Sequence, residues 1–151
     1  RWWFCTRQRA GPRRGCPDPR PGTPSARSAL MSRIRGRDTL PELEVRRTLH
    51  ALGYRYRVAP KGLPGKPDLA FPSRRKAIFI HGCFWHGHNC SHGRRRPTTS
   101  AEFWRKKLLD NRARDRRKRR ELEHLGYQVI EIWECEVKAD TWLSKVLLFL
   151  R

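Results

Sequence analysis

Acidic residues are scarce in this chain. Its 151 residues hold 14 Asp+Glu against 35 Lys+Arg, a formal charge of +21 and a pI near 11.3. Long apolar runs are missing too. The longest, residues 146–150, spans five residues, where a membrane-crossing helix needs ~20, so a spanning role is excluded. No repeat recurs at a fixed period, which removes collagen, coiled-coil and mucin-like readings. Methionine occurs once, at Met31.

What the chain does have is positive charge, at a density beyond what solubility requires. Polyanions are the natural partner, because each neutralised phosphate releases counterions and gives salt-dependent, sequence-blind affinity for nucleic acid. A merely solvated basic face is the alternative. The length suits one domain with a substantial core. Residues 1–30 carry seven Arg, one Asp and five of the eleven Pro, with almost no apolar periodicity, so they are expected to be disordered. They contain no apolar segment of the kind a secretory signal needs. With Arg1 first and Met31 the only Met, either an upstream extension or mis-assigned coding sequence ahead of a start near Met31 is expected, and residues 1–30 need not be native.

The folded part, residues 31–151, reads as α/β. Thr39, Pro41 and Glu42 have the spacing of a capping box with proline in the first turn. They open a helix to about Leu52, its apolar side made by Leu43, Val45, Leu49 and Leu52, stopped by Gly53. Residues 54–58 alternate as a half-buried strand, and residues 59–66 form a loop. Residues 67–71 and 76–80 read as strands, residues 100–125 as a long helix closed by Gly126, and residues 127–133 as a strand. Asp140 is expected to cap a final short helix. The order α-β-β-β-α-β implies a mixed sheet flanked by helices.

Cys5 and Cys16 fall in the tail and receive no role. The run HGCFWHGHNC, residues 81–90, packs three His and two Cys into ten positions. Thiolate and imidazole in a tetrahedral set are what zinc selects. Cys83, His88, Cys90 and Cys135 make such a set, with Cys135 ending the last strand, and four protein ligands leave no open position, so the site is structural. His86 in place of His88, or ordinary buried thiols, are the competing readings. A disulfide is not expected, because nothing marks the chain as secreted.

Chemistry must then reside elsewhere. Asp68 begins a strand, His81 ends the next, His86 follows in the Cys/His loop, and Glu42 lies on the first helix. Carboxylates beside imidazoles hold Mg²⁺ through oxygen and supply a proton acceptor. On a basic protein the matching reaction is phosphodiester hydrolysis. Taken singly, Glu42 is also explained as a capping carboxylate, Asp68 as a turn residue and His81 as a satisfied core histidine. Arg112, Arg116 and Arg119 share one side of the long helix, opposite Leu108, Leu109 and Leu122, and are expected to contact phosphates unless they are only solvated.

Several of these segments carry a family resemblance. RDTLPE (37–42), LPGKPD (63–68), FIHGCFWH (79–86), EFW (102–104) and WEC (133–135) resemble the very short patch repair (Vsr) endonucleases over residues 31–151. The resemblance implies a restriction-endonuclease-like fold with structural zinc. It also implies Mg²⁺-dependent nicking on the 5′ side of the T in T:G mismatches left by 5-methylcytosine deamination, a step in DNA repair. Matched by motif, Asp68 becomes the metal-binding catalytic carboxylate and Glu42 its companion. Ile80, where a well-known member has threonine, would reach Mg²⁺ through its backbone carbonyl. His81 and His86 become the histidines that activate the attacking water, with His86 the general base, while Cys83, His88, Cys90 and Cys135 become the zinc set. Phe84, Trp85 and Trp104 resemble the aromatic wedge that enters the base stack beside the mismatch, where unstacking costs least; filling core is the alternative for Phe84 and Trp104. The implied setting is a monomer in the bacterial cytoplasm, associated with the nucleoid, with double-stranded DNA and mismatch-repair proteins as partners. A zinc-stabilised DNA-binding module without catalysis and a restriction-type nuclease of the same fold are the rivals.

Overall fold

A computed structural model describes residues 36–95, 97 and 100–151; the expectations for residues 1–30, Cys5 and Cys16 lie outside them. Helix α1, Leu40–Ala51, starts at Thr39 with Pro41 in its first turn. The expected capping box does not form. Glu42 instead accepts the Asp38 N–H (3.0 Å) and the Thr39 hydroxyl (2.7 Å), because the Thr39 oxygen, turned toward that carboxylate, donates rather than accepts. Val45 and Leu49 are fully buried, whereas Leu52 lies half in solvent. Gly53 ends the helix at φ +86°, with Tyr54 N–H returning to the Leu49 carbonyl, the left-handed closure that glycine accepts without strain.

Four strands form one sheet in the order β1-β2-β3-β4. They are β1, Arg57–Val58; β2, Leu69–Phe71; β3, Lys76–His81; and β4, Gln128–Trp133. Strand β1 is shorter than the alternation of residues 54–58 suggests, since only Arg57 and Val58 find partners, Ala70 and Leu69. Tyr54 and Tyr56 instead pack edge-on against Phe71. Strands β2 and β3 are antiparallel; β3 and β4 are parallel from Lys76↔Gln128 to His81↔Trp133. A parallel pair needs a long crossover. Here it holds α2, Cys83–His86; α3, Ser91–Arg94; and α4, Ala101–His124.

Alternation along β3 divides the core. Ile78 and Ile80 join Val45, Leu49, Phe71, Ile132 and Trp142 on one face, and Ala77 and Phe79 join Leu122 and Val129 on the other. Each buried aliphatic side chain contributes roughly 1.5–3 kcal/mol. His81 continues the second alternation and stacks on Phe79 (5.8 Å, 5°), so it faces α4. After β4 comes a helix the sequence did not announce, α5, Glu134–Lys138, and then α6, Trp142–Leu150. Cys135 therefore stands in the first turn of α5 rather than at the end of a strand. Asp140 does not cap α6. It sits left-handed at φ +52° with its N–H on the Val137 carbonyl, closing α5 as Gly53 closes α1. On α4 Leu109 is 58% exposed while Leu108 and Leu122 are buried. No described helix is long and apolar enough to cross a membrane. The mixed sheet with helices on both faces is the restriction-endonuclease-like architecture the sequence implied.

Candidate active site and metal centre

The carboxyl ends of the parallel strands β3 and β4 lie side by side, where open α/β sheets place their ligands. His81 and Trp133 close the two strands as register partners. Antiparallel β2 starts at the same end, which brings Asp68 against β3.

Two clusters of ligand-type side chains form there. In the first, the ligand atoms of Cys83, His88, Cys90 and Cys135 lie within 4.8 Å of one another. His88 Nδ1 is 3.4 Å from Cys135 Sγ and 3.8 Å from Cys83 Sγ. Burial pushes the Cys83 thiol up to about 12, whereas the Gly93 N–H, 3.3 Å from Cys90 Sγ, helps bring the Cys90 thiol down to about 6. Three thiols and an imidazole drawn from two helices and the loop between α2 and α3 fit a metal ion. His88 is the histidine of the set; His86 points elsewhere, which removes the alternative ligand.

In the second cluster, His81, His86 and Asp115 approach within 4.8 Å. His86 Nδ1 lies 2.5 Å from Asp115 Oδ2, and the two imidazoles sit 4.1 Å apart. Burial, followed by the neighbouring His86, pushes His81 down to about 4, so at neutral pH it is an uncharged ring. Burial alone would raise Asp115, but the His86 hydrogen bond and the nearby positive charges outweigh it and hold the carboxyl below its usual range. An open cleft of about 290 Å³ exposes His86, Asp115, Arg116 and Glu131.

Asp68 stands apart from that trio. Its Oδ2 accepts the Ile80 N–H at 2.7 Å. Burial pushes it up to about 6; the Ile80 bond opposes this, Glu42 adds to it, and Arg46 and Lys118 oppose it. Glu42 is only 5% exposed and is also bound by Arg46 at 3.0 Å. It is thus tied into the helix start and yet close enough for Asp68 to feel its charge.

The aromatic residues do converge. Phe84 lies 5.1 Å from Trp85 and 5.3 Å from Trp104, with Trp85 and Trp104 6.0 Å apart. Asn111 donates to the Trp85 carbonyl at 2.8 Å. The arginines diverge in use. Arg112 donates to the carbonyls of His86 and Gly87 and so braces the loop. Arg119 is paired with Glu123 at 2.8 Å and Glu131 at 3.7 Å, and Arg116 lines the cleft.

Comparison with known proteins decides the family. The model of the DNA mismatch endonuclease Vsr family matches residues 22–92. A Type II nicking enzyme of Xanthomonas oryzae pv. oryzae, V.XorIIP, is 47% identical over 115 residues, covering 76% of this chain and 84% of that protein. The chain belongs to the Vsr family. The Type II nicking enzyme V.NmeAIP of Neisseria meningitidis is 43% identical over 116 residues (77% and 82% of the two chains). The DNA mismatch endonuclease Vsr of Escherichia coli is 40% identical over 120 residues (80% and 76%). This Vsr chain is therefore a nuclease of the nicking type, a DNA-binding hydrolase.

Asp115 and Asn111 escaped the sequence reading of this Vsr chain, and Trp133 entered it only within the WEC motif. Asp115 hides in an arginine run that looks like a solvated face. A signal was present, however. Trp104, Leu108, Asn111, Asp115, Lys118 and Leu122 recur at intervals of four and three, the spacing of one helix face, and the polar members of an inward stripe are the ones to question.

Proposed function

We propose that this nuclease nicks DNA on the 5′ side of the T in a T:G mismatch produced by 5-methylcytosine deamination, beginning very short patch repair in the bacterial cytoplasm. The observation that carries the reading is the 2.5 Å contact of His86 with Asp115, next to His81 and on the same short helix as Phe84 and Trp85. Asp115 fixes the tautomer and direction of the His86 ring, leaving its outer nitrogen to take a proton from the attacking water, and uncharged His81 orients that water. The aromatic cluster fits a wedge that exploits the weak stacking of a mismatched step.

Two metal ions fit the residues present. The Cys83, His88, Cys90 and Cys135 set suits zinc in a closed tetrahedral role. The Asp68 carboxylate, raised because the surrounding protein under-compensates its charge, fits Mg²⁺, with the Ile80 carbonyl as the adjacent oxygen donor. When bound there, Mg²⁺ supplies positive charge to the scissile phosphate. Arg116, and the exposed basic side of α4 generally, then position the duplex without reading its sequence.

A labelled duplex with one T:G mismatch, set in several candidate methylation sequences beside T:A and C:G controls, tests the proposal with Mg²⁺ or EDTA. A single Mg²⁺-dependent nick beside the T, lost in Asp68→Ala, is the expected result. Cutting of perfect duplexes indicates a restriction-type relative instead. Binding without cleavage at any site leaves a metal-stabilised DNA-binding module.

A further inference from the structure

The inward stripe of α4 contains one residue that the proposed chemistry has not used. Lys118 lies one turn beyond Asp115 on the same face and is half-buried. Its side-chain root is covered while its ammonium still reaches solvent, and among the described residues no hydrogen bond or ion pair engages Lys118. Its root is held firmly in place. Gly65, at φ +70°, packs so closely that a Cβ there would fall 2.7 Å from Lys118 Cβ. Gly65 belongs to the loop that delivers Asp68 three residues later, so one contact sets the lysine against the carboxylate. Its charge is felt at Asp68, at His81 and at Asp115, which come from three different elements. Rooted against Gly65 and charged beside Asp68, His81 and Asp115, it is placed to meet an anion that enters the site.

Building on the nuclease reading, we infer that Lys118 is a catalytic residue whose ammonium donates a hydrogen bond to a non-bridging oxygen of the scissile DNA phosphate. As the water oxygen bonds to phosphorus, its proton passes to His86. The bond from phosphorus to the leaving sugar oxygen breaks, and that oxygen takes a proton from solvent. Lys118 keeps its proton throughout and stabilises the charge that builds on the phosphoryl oxygens. It differs from the exposed arginines of α4, which face the duplex but not the reacting phosphorus.

The test compares Lys118→Gln, Lys118→Arg and Arg117→Ala on the T:G duplex, with single-turnover nicking at saturating protein and the DNA Kd measured separately. Lys118→Gln is expected to slow the nicking step about 10²-fold, as loss of one transition-state donor does. Its Kd should stay within about threefold of the wild type and its melting temperature should be unchanged. Lys118→Arg should recover most of the rate. Arg117, 70% exposed and paired with Glu121, reports what any one helix charge contributes to binding. Gly65→Ala, which forces the loop off the lysine, should reproduce the slow step. A Lys118→Gln protein that nicks at the wild-type rate, or whose loss lies in Kd and equals that of Arg117→Ala, overturns the assignment while the nuclease reading stands. A wild-type chain that nicks no duplex removes both.

Discussion

Trp133 has a polar centre on either side. Its ring stacks on His88 at 4.2 Å and tilts against His81 at 5.3 Å, so the two neighbourhoods share one wall and differ in how far the protein completes them. Around His88, three thiols and its own imidazole bring their ligand-type atoms within 4.8 Å of one another, a set that the proposed zinc would close. Around His81 the histidines meet Asp115, but Asp68 stays separate, its carboxyl raised by burial although the Ile80 N–H, Arg46 and Lys118 all favour its charge. The first arrangement holds a loop and a helix to the sheet. The second, on the proposed function, is completed by substrate. Substitutions should therefore separate stability from activity according to which side of Trp133 they strike.

The largest effect belongs to the closed centre. Cys135→Ala removes the ligand that ties α5 to the residue 83–90 loop, and structural thiolate sites contribute folding energy outright, ~10–16 kcal/mol in small zinc domains. A larger domain keeps its sheet, but a loss of several kcal/mol in stability is expected, with nicking lost as well because His86 sits on the same loop. Thermal melting with and without a strong chelator, alongside zinc content per chain, checks this. Unchanged melting in the variant, or in the chelated wild type, would mean that the cluster is only a group of buried thiols.

Next comes the open centre. Asp68→Ala should reduce single-turnover nicking by at least about 10³-fold, on the scale of a lost metal-assisted step, while the protein stays folded. His86→Ala should cost about 10²-fold or more, in the range of general acid–base catalysis. Asp115→Asn should cost less, because the amide keeps the ring in place but no longer stabilises the protonated imidazole. That ranking is the test: an Asp115→Asn loss exceeding that of His86→Ala would give Asp115 a role other than orienting His86.

The same two neighbourhoods show what a sequence displays and what it conceals. The closed centre was legible because its ligands are rare residue types crowded into residues 83–90, with one distant partner, Cys135. Only the partner's setting was misread, since the turn from β4 into α5 depends on the Glu136 carboxylate accepting the Trp133 N–H at 2.8 Å. The open centre was half legible. Asp68, His81 and His86 lie in or beside motifs, whereas Asp115 and Lys118 are common charged residues made special by an inward position among many outward ones. The cap assignments failed for another reason. Whether Thr39 or Asp140 caps a helix depends on local backbone angles, which the residue type biases but does not determine. Strand β1 shrank because pairing, not alternation, defines a strand, and Arg57 and Val58 alone meet β2.

The smallest expected effect sharpens the contrast most, because its sign is unusual. In the absence of divalent metal, Asp68→Asn should make the protein more stable at neutral pH. The folded carboxyl is raised from 3.8 to about 6, chiefly by burial. A raised carboxyl favours the folded state while it is protonated. That contribution is fully present below the unfolded value, near 3.8, and is lost as pH rises through about 6. Above pH 6 the wild type bears the whole cost of a buried charge, about 3 kcal/mol, and asparagine does not. The melting temperature of Asp68→Asn should therefore equal that of the wild type near pH 4, exceed it by several degrees at pH 7, and level off above that. His81, pushed down to about 4, loses stability in the opposite direction, as pH falls from 6.5 toward 4. It is present in both proteins, so the difference between their melting curves isolates Asp68. Mg²⁺ should stabilise the wild type above pH 6 and leave Asp68→Asn unmoved, closing the gap. An asparagine variant that melts at or below the wild type at pH 7 without metal would show that Asp68 is already compensated by the protein, and that the open centre is as self-sufficient as the closed one.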